Sequence, residues 1–406
     1  MEFGPIFRAL LNNRTRFWLI TVEVALTLAI VVNCTSIFLD KRQSFVSPTG
    51  MDIANILVIT TEPFGENFAI EDYVEDVGDS DLARLRSHPS IINATPILHI
   101  PLSGSGSSTS RKAAGSEIDT VRVSYFWVDE NGIETLGVEL IDGRNFNRAD
   151  IEGRIDNGND DIPRTVIVTK AFAEQIFPDG NVVGRQISNG DDENAATVIG
   201  VIDRMSNSWP SASFGDHTML RPGMVRDSRE MNYLVRTEPG TIDSLYTELE
   251  ELMVSLESDR VVTVRTLSEI KLRYFKRTLM AMKIWAAVVV LMIIVTSLGI
   301  VGLTSFSVTQ RTREIRTRRA LGATRLAILR YFVIENWLIT GIGLALGTLL
   351  TIGLNFVLAQ YAEAPKIDWM LLVGGAAVLW TAGQLAALVP AMRATSVTPE
   401  IATRTV

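Results

Sequence analysis

Residues 284–303 read IWAAVVVLMIIVTSLGIVGL. Twelve of these twenty residues are Leu, Ile or Val, and none is charged. About 20 apolar residues wound as a helix cross the hydrocarbon core of a bilayer. On an insertion scale of roughly −0.3 to −0.6 kcal/mol per such residue, the run sums to roughly −4 to −7 kcal/mol. It has no polar face for water, so it reads as a membrane span, and this decides the class of fold. Three more stretches qualify on either side of it: Phe17–Leu39, about Tyr331–Leu358 and about Trp369–Val389. The last has eight Leu, Ile or Val, with Gly374, Gly375, Gly383 and Gln384 among them. Small residues let helices approach closely in lipid, so it reads as a packed span.

The composition agrees. The 406 residues are 47% apolar and 21% charged, with a mean hydropathy of +0.21, which implies oily segments joined to a polar domain. Net charge is −8, so the chain is no general nucleic-acid binder. A single cysteine excludes an intrachain disulfide framework, and His88, His99 and His217 are too scattered for a histidine metal centre. Asp160–Asp161 and Asp191–Asp192 lack EF-hand spacing and read as solvated turns.

Lys and Arg near span ends set orientation. Arg8, Arg14 and Arg16 precede the first span. Arg311, Arg313, Arg316, Arg318, Arg319, Arg325 and Arg330 lie between the second and third, and Arg393 and Arg404 follow the fourth. Loop 360–368 has only Lys366. Both termini and the arginine-rich loop are therefore expected on the cytoplasmic side, with 40–278 outside. That outer region has 24 Lys and Arg against 39 Asp and Glu, and the remainder has 14 against 7. Cleavage after the first span is not expected, because its apolar run is long and exits at Asp40-Lys41-Arg42.

Within 40–278, Ile56–Thr61 reads as a strand, Asp81–Ser87 as a short helix and Ile91–Ile100 as a strand. Tyr233–Arg236, Thr241–Leu256 and Val261–Thr266 repeat that order. Two β-α-β units would pair into a ferredoxin-like or split sheet. Between them, Val166–Thr169 and Ala196–Asp203 read as strands and Ala171–Phe177 as a short helix. The Gly/Ser stretch Leu102–Ser110 reads as flexible, and 156–161 and 189–194 read as polar connections.

The expected fold is an α+β membrane protein with four transmembrane helices and a large domain between helices 1 and 2. Its segments are a cytoplasmic start (1–16), a first span (17–39) and the outer domain (40–278). That domain comprises β-α-β parts at 50–101 and 227–268 and a β-rich insertion at 102–226. There follow a second span with a stalk (279–309), a cytoplasmic loop (310–330), spans at 331–358 and 369–391, and a tail (392–406). The helix of the second span is expected to run from Glu269 through Arg319.

No G-x-x-x-x-G-K-[ST], H-E-x-x-H or G-x-S-x-G occurs, so no catalytic constellation, cofactor site or metal site is expected here. The most informative segment is Gln310–Arg330, QRTREIRTRRALGATRLAILR. A small apolar patch, Ala320–Ala323, sits among seven arginines and Glu314. Gly322 can end one helix so that a short second one starts at Ala323 or Thr324 along the membrane face. A plain lipid-facing basic loop is the alternative. Gly343-x-x-x-Gly347 is a close-packing motif, either against the fourth span or in a dimer. Glu23 either couples to a partner helix or snorkels and pairs locally, and Lys283 and Glu335 are expected to snorkel.

Arg313-Glu314-Ile315 and Arg318–Thr324 resemble the signature loop of the MacB/FtsX superfamily of ABC-transporter permeases, usually R-E-I-G-I-R-R/M-A-L-G-A. The chain departs from it at Arg316 and Thr317. The outer domain is similar to the MacB-type periplasmic domain at Val123–Ser124, Gly132–Phe146, Val166–Gly184 and Thr197–Asp203. The resemblance implies a multi-pass permease of the bacterial inner membrane, working as a homo- or heterodimer. ATP and Mg would bind a separate ABC ATPase subunit. Glu314, Arg318, Arg319, Ala320, Leu321, Gly322, Ala323 and Thr324 would form the ATPase-coupling loop, with Ala320–Ala323 as its coupling helix. It further implies mechanotransmission: efflux of periplasmic substrate through an adaptor and a TolC-like outer-membrane duct. Lipoprotein release and FtsX-like transmembrane signalling are the alternatives.

Overall fold

In the computed structural model, residues 14–116, 119–151, 163–190, 195–224, 228–362 and 364–395 are described. Arg8, the 156–161 connection, most of the 189–194 connection and Arg404 lie outside the described residues. The chain divides into two units, Met1–Gln43 with Thr278–Val406, and Ser44–Arg277.

The Ser44–Arg277 unit contains a four-stranded sheet from the two β-α-β repeats. These are β1 (Ile56–Pro63), α1 (Glu71–Arg86) and β2 (Ile91–Ile97), then β10 (Met231–Thr237), α2 (Ile242–Leu256) and β11 (Arg260–Thr266). The order is β11-β1-β10-β2, with all three pairings antiparallel, a ferredoxin-like arrangement. Side chains alternate faces along a strand. Leu57 and Ile59 of β1 pack under the helices with Val74, Leu82, Leu85, Leu245 and Leu249. Ile56 and Val58 point the other way, among Phe126, Ile133, Leu136 and Leu220. Burial on both faces explains why β1 reads as a continuous apolar run.

A buried network ties the repeats together. Arg260 donates Nη2–H to Asp81 Oδ1 at 2.9 Å and to the Met253 carbonyl at 2.7 Å, and the Tyr233 hydroxyl donates to Asp81 Oδ2 at 2.9 Å. Helix α1 begins at Glu71, ten residues before the start read from the sequence. Its first turns are acidic and its buried face is only Val74, Val77, Gly78, Asp81, Leu82 and Leu85, so the apolar signal was sparse.

The insertion contains β3 (Ser107–Ala113), β4 (Val121–Val128), β5 (Leu140–Gly143), β6 (Thr165–Thr169), β7 (Gln186–Ser188), β8 (Ala196–Ile202) and β9 (Thr218–Pro222). They form one sheet, β5-β8-β6-β9-β4-β3-β7, and a further β7–β8 pairing closes six strands into a ring. Two short helices, Gly132–Leu136 and Lys170–Ile176, connect them. The Gly/Ser stretch, read as flexible, is instead built into this unit. Ser107–Ser110 are strand residues, Leu102 is fully buried, and the Leu102 and Gly104 amides donate to Asn207 and Ser208 carbonyls. Small side chains permit this close approach: a Cβ on Gly106 would collide with Ser208.

Among the described residues, the other unit has four helices long and apolar enough to span a membrane. They are α3 (Arg14–Val46), α4 (Leu267–Gln310, which begins in the Ser44–Arg277 unit), α6 (Arg325–Ala362) and α7 (Trp369–Thr395), with the short α5 (Thr312–Ala320) between α4 and α6. Helix α3 supplies the centre of the bundle, burying Ile20, Val24, Leu28 and Val32. The atoms nearest a Cβ placed on Gly343 or Gly347 of α6 belong to α3, at Thr21, Val24, Ala25 and Leu28. Glu23 lies against Gly299 of α4, where the missing side chain makes room for the carboxylate. The Thr27 and Thr296 hydroxyls meet at 2.7 Å across the same pair of helices.

Candidate functional site

The second span does not run to Arg319 as one helix. Helix α4 ends at Gln310, and Arg311, with ψ of 9°, is off the helical value and precedes α5. Helix α5 closes with a Schellman motif: the Ala323 amide donates to the Arg318 carbonyl at 3.0 Å and the Gly322 amide to Arg319 at 3.1 Å. Gly322 has φ +98°, which favours glycine. Thr324 then caps α6, its hydroxyl accepting the Ala327 amide at 3.2 Å. The short helix therefore precedes the turn, and the helix after it is the third span itself. The reason is that Gly322 and Thr324 act as stop and start signals with only Ala323 between them.

Contacts at its base, middle and tip hold α5 onto the bundle. At its base, Arg311 Nη1 lies 3.2 Å and 3.4 Å from the two Glu335 carboxylate oxygens and 3.4 Å from the Tyr331 hydroxyl. In its middle, Ile315 is 5% exposed and packs with Ile328 and Phe332 of α6 and Ala391 and Ala394 of α7. At its tip, Arg319 donates to the Thr395 carbonyl at 3.1 Å, satisfying a carbonyl at the end of α7. Glu335 therefore does not snorkel. Its side chain is 1% exposed and faces Arg311.

The opposite face of the elbow is open. Leu321 is 83% exposed and Leu326 73%, with Ala320 and Gly322 exposed and Ala323 half-buried between them. Glu314 and Arg318 form an exposed i,i+4 pair at 2.7 Å, and the Arg318 guanidinium stands over the Tyr331 ring at 5.2 Å. A cavity of about 220 Å³ lies between α5 and the start of α6, bordered by Arg311, Glu314, Ile315, Arg318, Tyr331 and Phe332 among others. A projecting apolar side chain in a rim of arginines can insert into a groove on a partner, while the arginines contact carboxylates bidentately.

The structure thus brings Glu314 and Arg318–Thr324 together on one elbow. It leaves Gly343 and Gly347 apart, at the α3–α6 packing. Sequence reading missed Ile315, Tyr331 and Thr395 as supports, and misplaced Glu335. An acid four residues inside the expected span, with an excess of arginines just before it, was the available signal for the Arg311–Glu335 pair.

Comparison with known proteins covers both units. Residues 286–399 match the family model described as FtsX-like permease C-terminal, and residues 18–262 match the MacB-like periplasmic core domain. Macrolide export ATP-binding/permease protein MacB of Acinetobacter baylyi is 24% identical over 360 residues, covering 86% of this chain and 51% of that protein. Its namesake in Chromobacterium violaceum is 25% identical over 408 residues, covering 98% of this chain and 59% of the relative. That of Escherichia coli K12 is 25% identical over 383 residues, with 89% and 54% covered. The chain therefore spans between half and three-fifths of these relatives' length. The crystal structure of the periplasmic region of MacB from Actinobacillus actinomycetemcomitans matches 56% of this chain and 96% of its own, at 17% identity and a TM-score of 0.35. The periplasmic-core match takes in more than half of the chain, and the permease match takes in the elbow and the last three spans. The chain belongs to the MacB/FtsX-like family of ABC-transporter permeases.

Proposed function

We propose that this permease works by mechanotransmission, driven by a separate ABC ATPase that docks on the α5–α6 elbow from the cytoplasm. The observation that carries the reading is the elbow's division of labour. One side of α5 is fastened to α6 and α7, and the other presents Leu321 to solvent. An exposed leucine on a rigid mount is suited to receive force from a partner. Helix α4 is unbroken over 44 residues, about 66 Å at 1.5 Å per residue, against a hydrocarbon core of about 30 Å. A rigid element of that length can relay motion at Arg311 to the outer domain.

In this reading ATP and Mg bind the ATPase, the permease is dimeric, and both termini lie in the cytoplasm of a bacterial inner membrane. Periplasmic substrate leaves through an adaptor and a TolC-like duct. The relatives' description as macrolide exporters supports a drug-like or other amphipathic substrate. Gentle detergent purification followed by mass spectrometry of the co-purifying chains tests this. An ABC ATPase and an adaptor are expected. A soluble lipoprotein carrier, or a cell-wall hydrolase, in place of the adaptor would contradict the efflux reading.

A further inference from the structure

We infer that Arg311 and Glu335 form a positioning pair that makes the elbow rigid, so that a push on Leu321 moves the second and third spans together. The inference rests on the docking reading above and adds the part that converts docking into motion.

The elbow is mechanically weak where it leaves each span. Arg311 interrupts the helix between α4 and α5, and Gly322, at φ +98°, interrupts it between α5 and α6. At Arg311 the backbone leaves helical geometry while keeping the Arg311-to-Ser307 and Ile315-to-Arg311 bonds, so the joint is a bend rather than a break; a helix joined through a bend at one end and a glycine turn at the other can pivot, and a push at its tip would be absorbed there. The contacts that oppose the pivot differ in kind. The Ile315 contact is apolar and non-directional, so it lets α5 slide. The Arg319 contact is a single hydrogen bond at the far tip. The Arg311–Glu335 contact is directional and joins the residue at one hinge directly to α6, through a charge-assisted bond with both carboxylate oxygens in reach.

Its position gives it leverage. Glu335 lies ten residues after the start of α6, about 15 Å along the helix axis. The pair therefore bypasses the Gly322 turn: α4's end is fixed to α6 well inside the span, and α5 closes a triangle between them. A buried charge in this position needs a partner, and the pairing leaves Arg311 little freedom to release the hinge. Tyr331, one turn before Glu335, contacts the same guanidinium and also lies under that of Arg318. The outer face of α5 is thereby tied into the same anchor.

The test compares three variants of the full-length chain in nanodiscs with the ATPase that co-purifies with it. All carry Cys34→Ala and a fluorophore on Phe64→Cys, an exposed position in the outer unit. The double variant Arg311→Met/Glu335→Gln removes both charges without leaving one buried alone. The charge swap Arg311→Glu/Glu335→Arg restores a pair, and Leu321→Asp removes the docking residue. The readouts are ATPase affinity, melting temperature and the emission change on adding ATP and vanadate. The inference predicts that the neutral pair keeps ATPase affinity within threefold and melting temperature near that of the parent, while the emission change falls at least fivefold and the charge swap recovers most of it. An undiminished emission change in the neutral pair overturns the inference and leaves docking intact. A large fall in melting temperature without recovery in the swap also overturns it, since the pair would then serve stability alone. Unchanged ATPase affinity in Leu321→Asp overturns the docking reading on which the inference stands.

Discussion

Replacing Leu321 with alanine separates docking from folding. The side chain is 83% exposed, so the free permease loses almost no packing when it is cut back. Surface substitutions of this kind fall within about 0.5 kcal/mol. On docking, the three carbons beyond Cβ would be removed from water, worth about 0.8 kcal/mol each. Scaled by the fraction still exposed, the loss is about 2 kcal/mol, or roughly 30-fold in affinity. Leu321→Asp adds the desolvation of a carboxylate and is expected to weaken binding by at least ~100-fold. The assay is ATPase affinity for nanodisc-embedded permease by biolayer interferometry, with a melting curve for each variant. An affinity within threefold of the parent for both substitutions would refute the reasoning. So would a melting temperature lowered by many degrees, since Leu321 would then be structural.

Two further outcomes follow from the geometry. A Cβ on Gly347 would stand 3.0 Å from both Cα and the carbonyl oxygen of Ala25, backbone atoms that cannot swing aside, whereas one on Gly353 meets nothing within 4 Å. Gly347→Ala should therefore destabilise by about 1–3 kcal/mol and Gly353→Ala should not, which melting curves in detergent would show. In the outer unit, hydrogen bonds from Arg144, at 2.7 and 3.0 Å, hold the Asp150 carboxyl below its usual range, aided by the Asn147 amide. Because the folded carboxyl is the stronger acid, its contribution is complete above the unfolded pKa of about 3.9 and disappears as pH falls through the lower folded value. Melting temperatures between pH 7 and 2.5 should drop less steeply for Asp150→Asn than for the parent; equal slopes would contradict this.

What the sequence made legible follows from how strongly each segment is determined locally. The spans were readable because 20 apolar residues have few alternatives, and the two β-α-β repeats because Ile56–Thr61 opens on a continuous apolar run while Val261–Thr266 and the leucines of Thr241–Leu256 keep clear periods. The insertion was less so. Its ring of strands depends on long-range pairings, and Ser107–Ser110 carry no apolar alternation, so composition pointed to a loose linker where the fold places a strand. At the elbow, Gly322 announced a turn. The supports were hidden because each joins residues distant in sequence: Arg311 to Glu335, Arg319 to Thr395, Ile315 to Ala391. The hinge at Arg311 has no breaker residue at all.

The central claim is that the elbow and the outer domain face opposite sides of the membrane, with the elbow toward the motor. Cys34 is the single cysteine, so a Cys34→Ala background reports only introduced thiols. A membrane-impermeant maleimide should label Phe64→Cys on intact spheroplasts and Leu321→Cys only on inverted vesicles. Labelling of both positions from the same side would contradict the account.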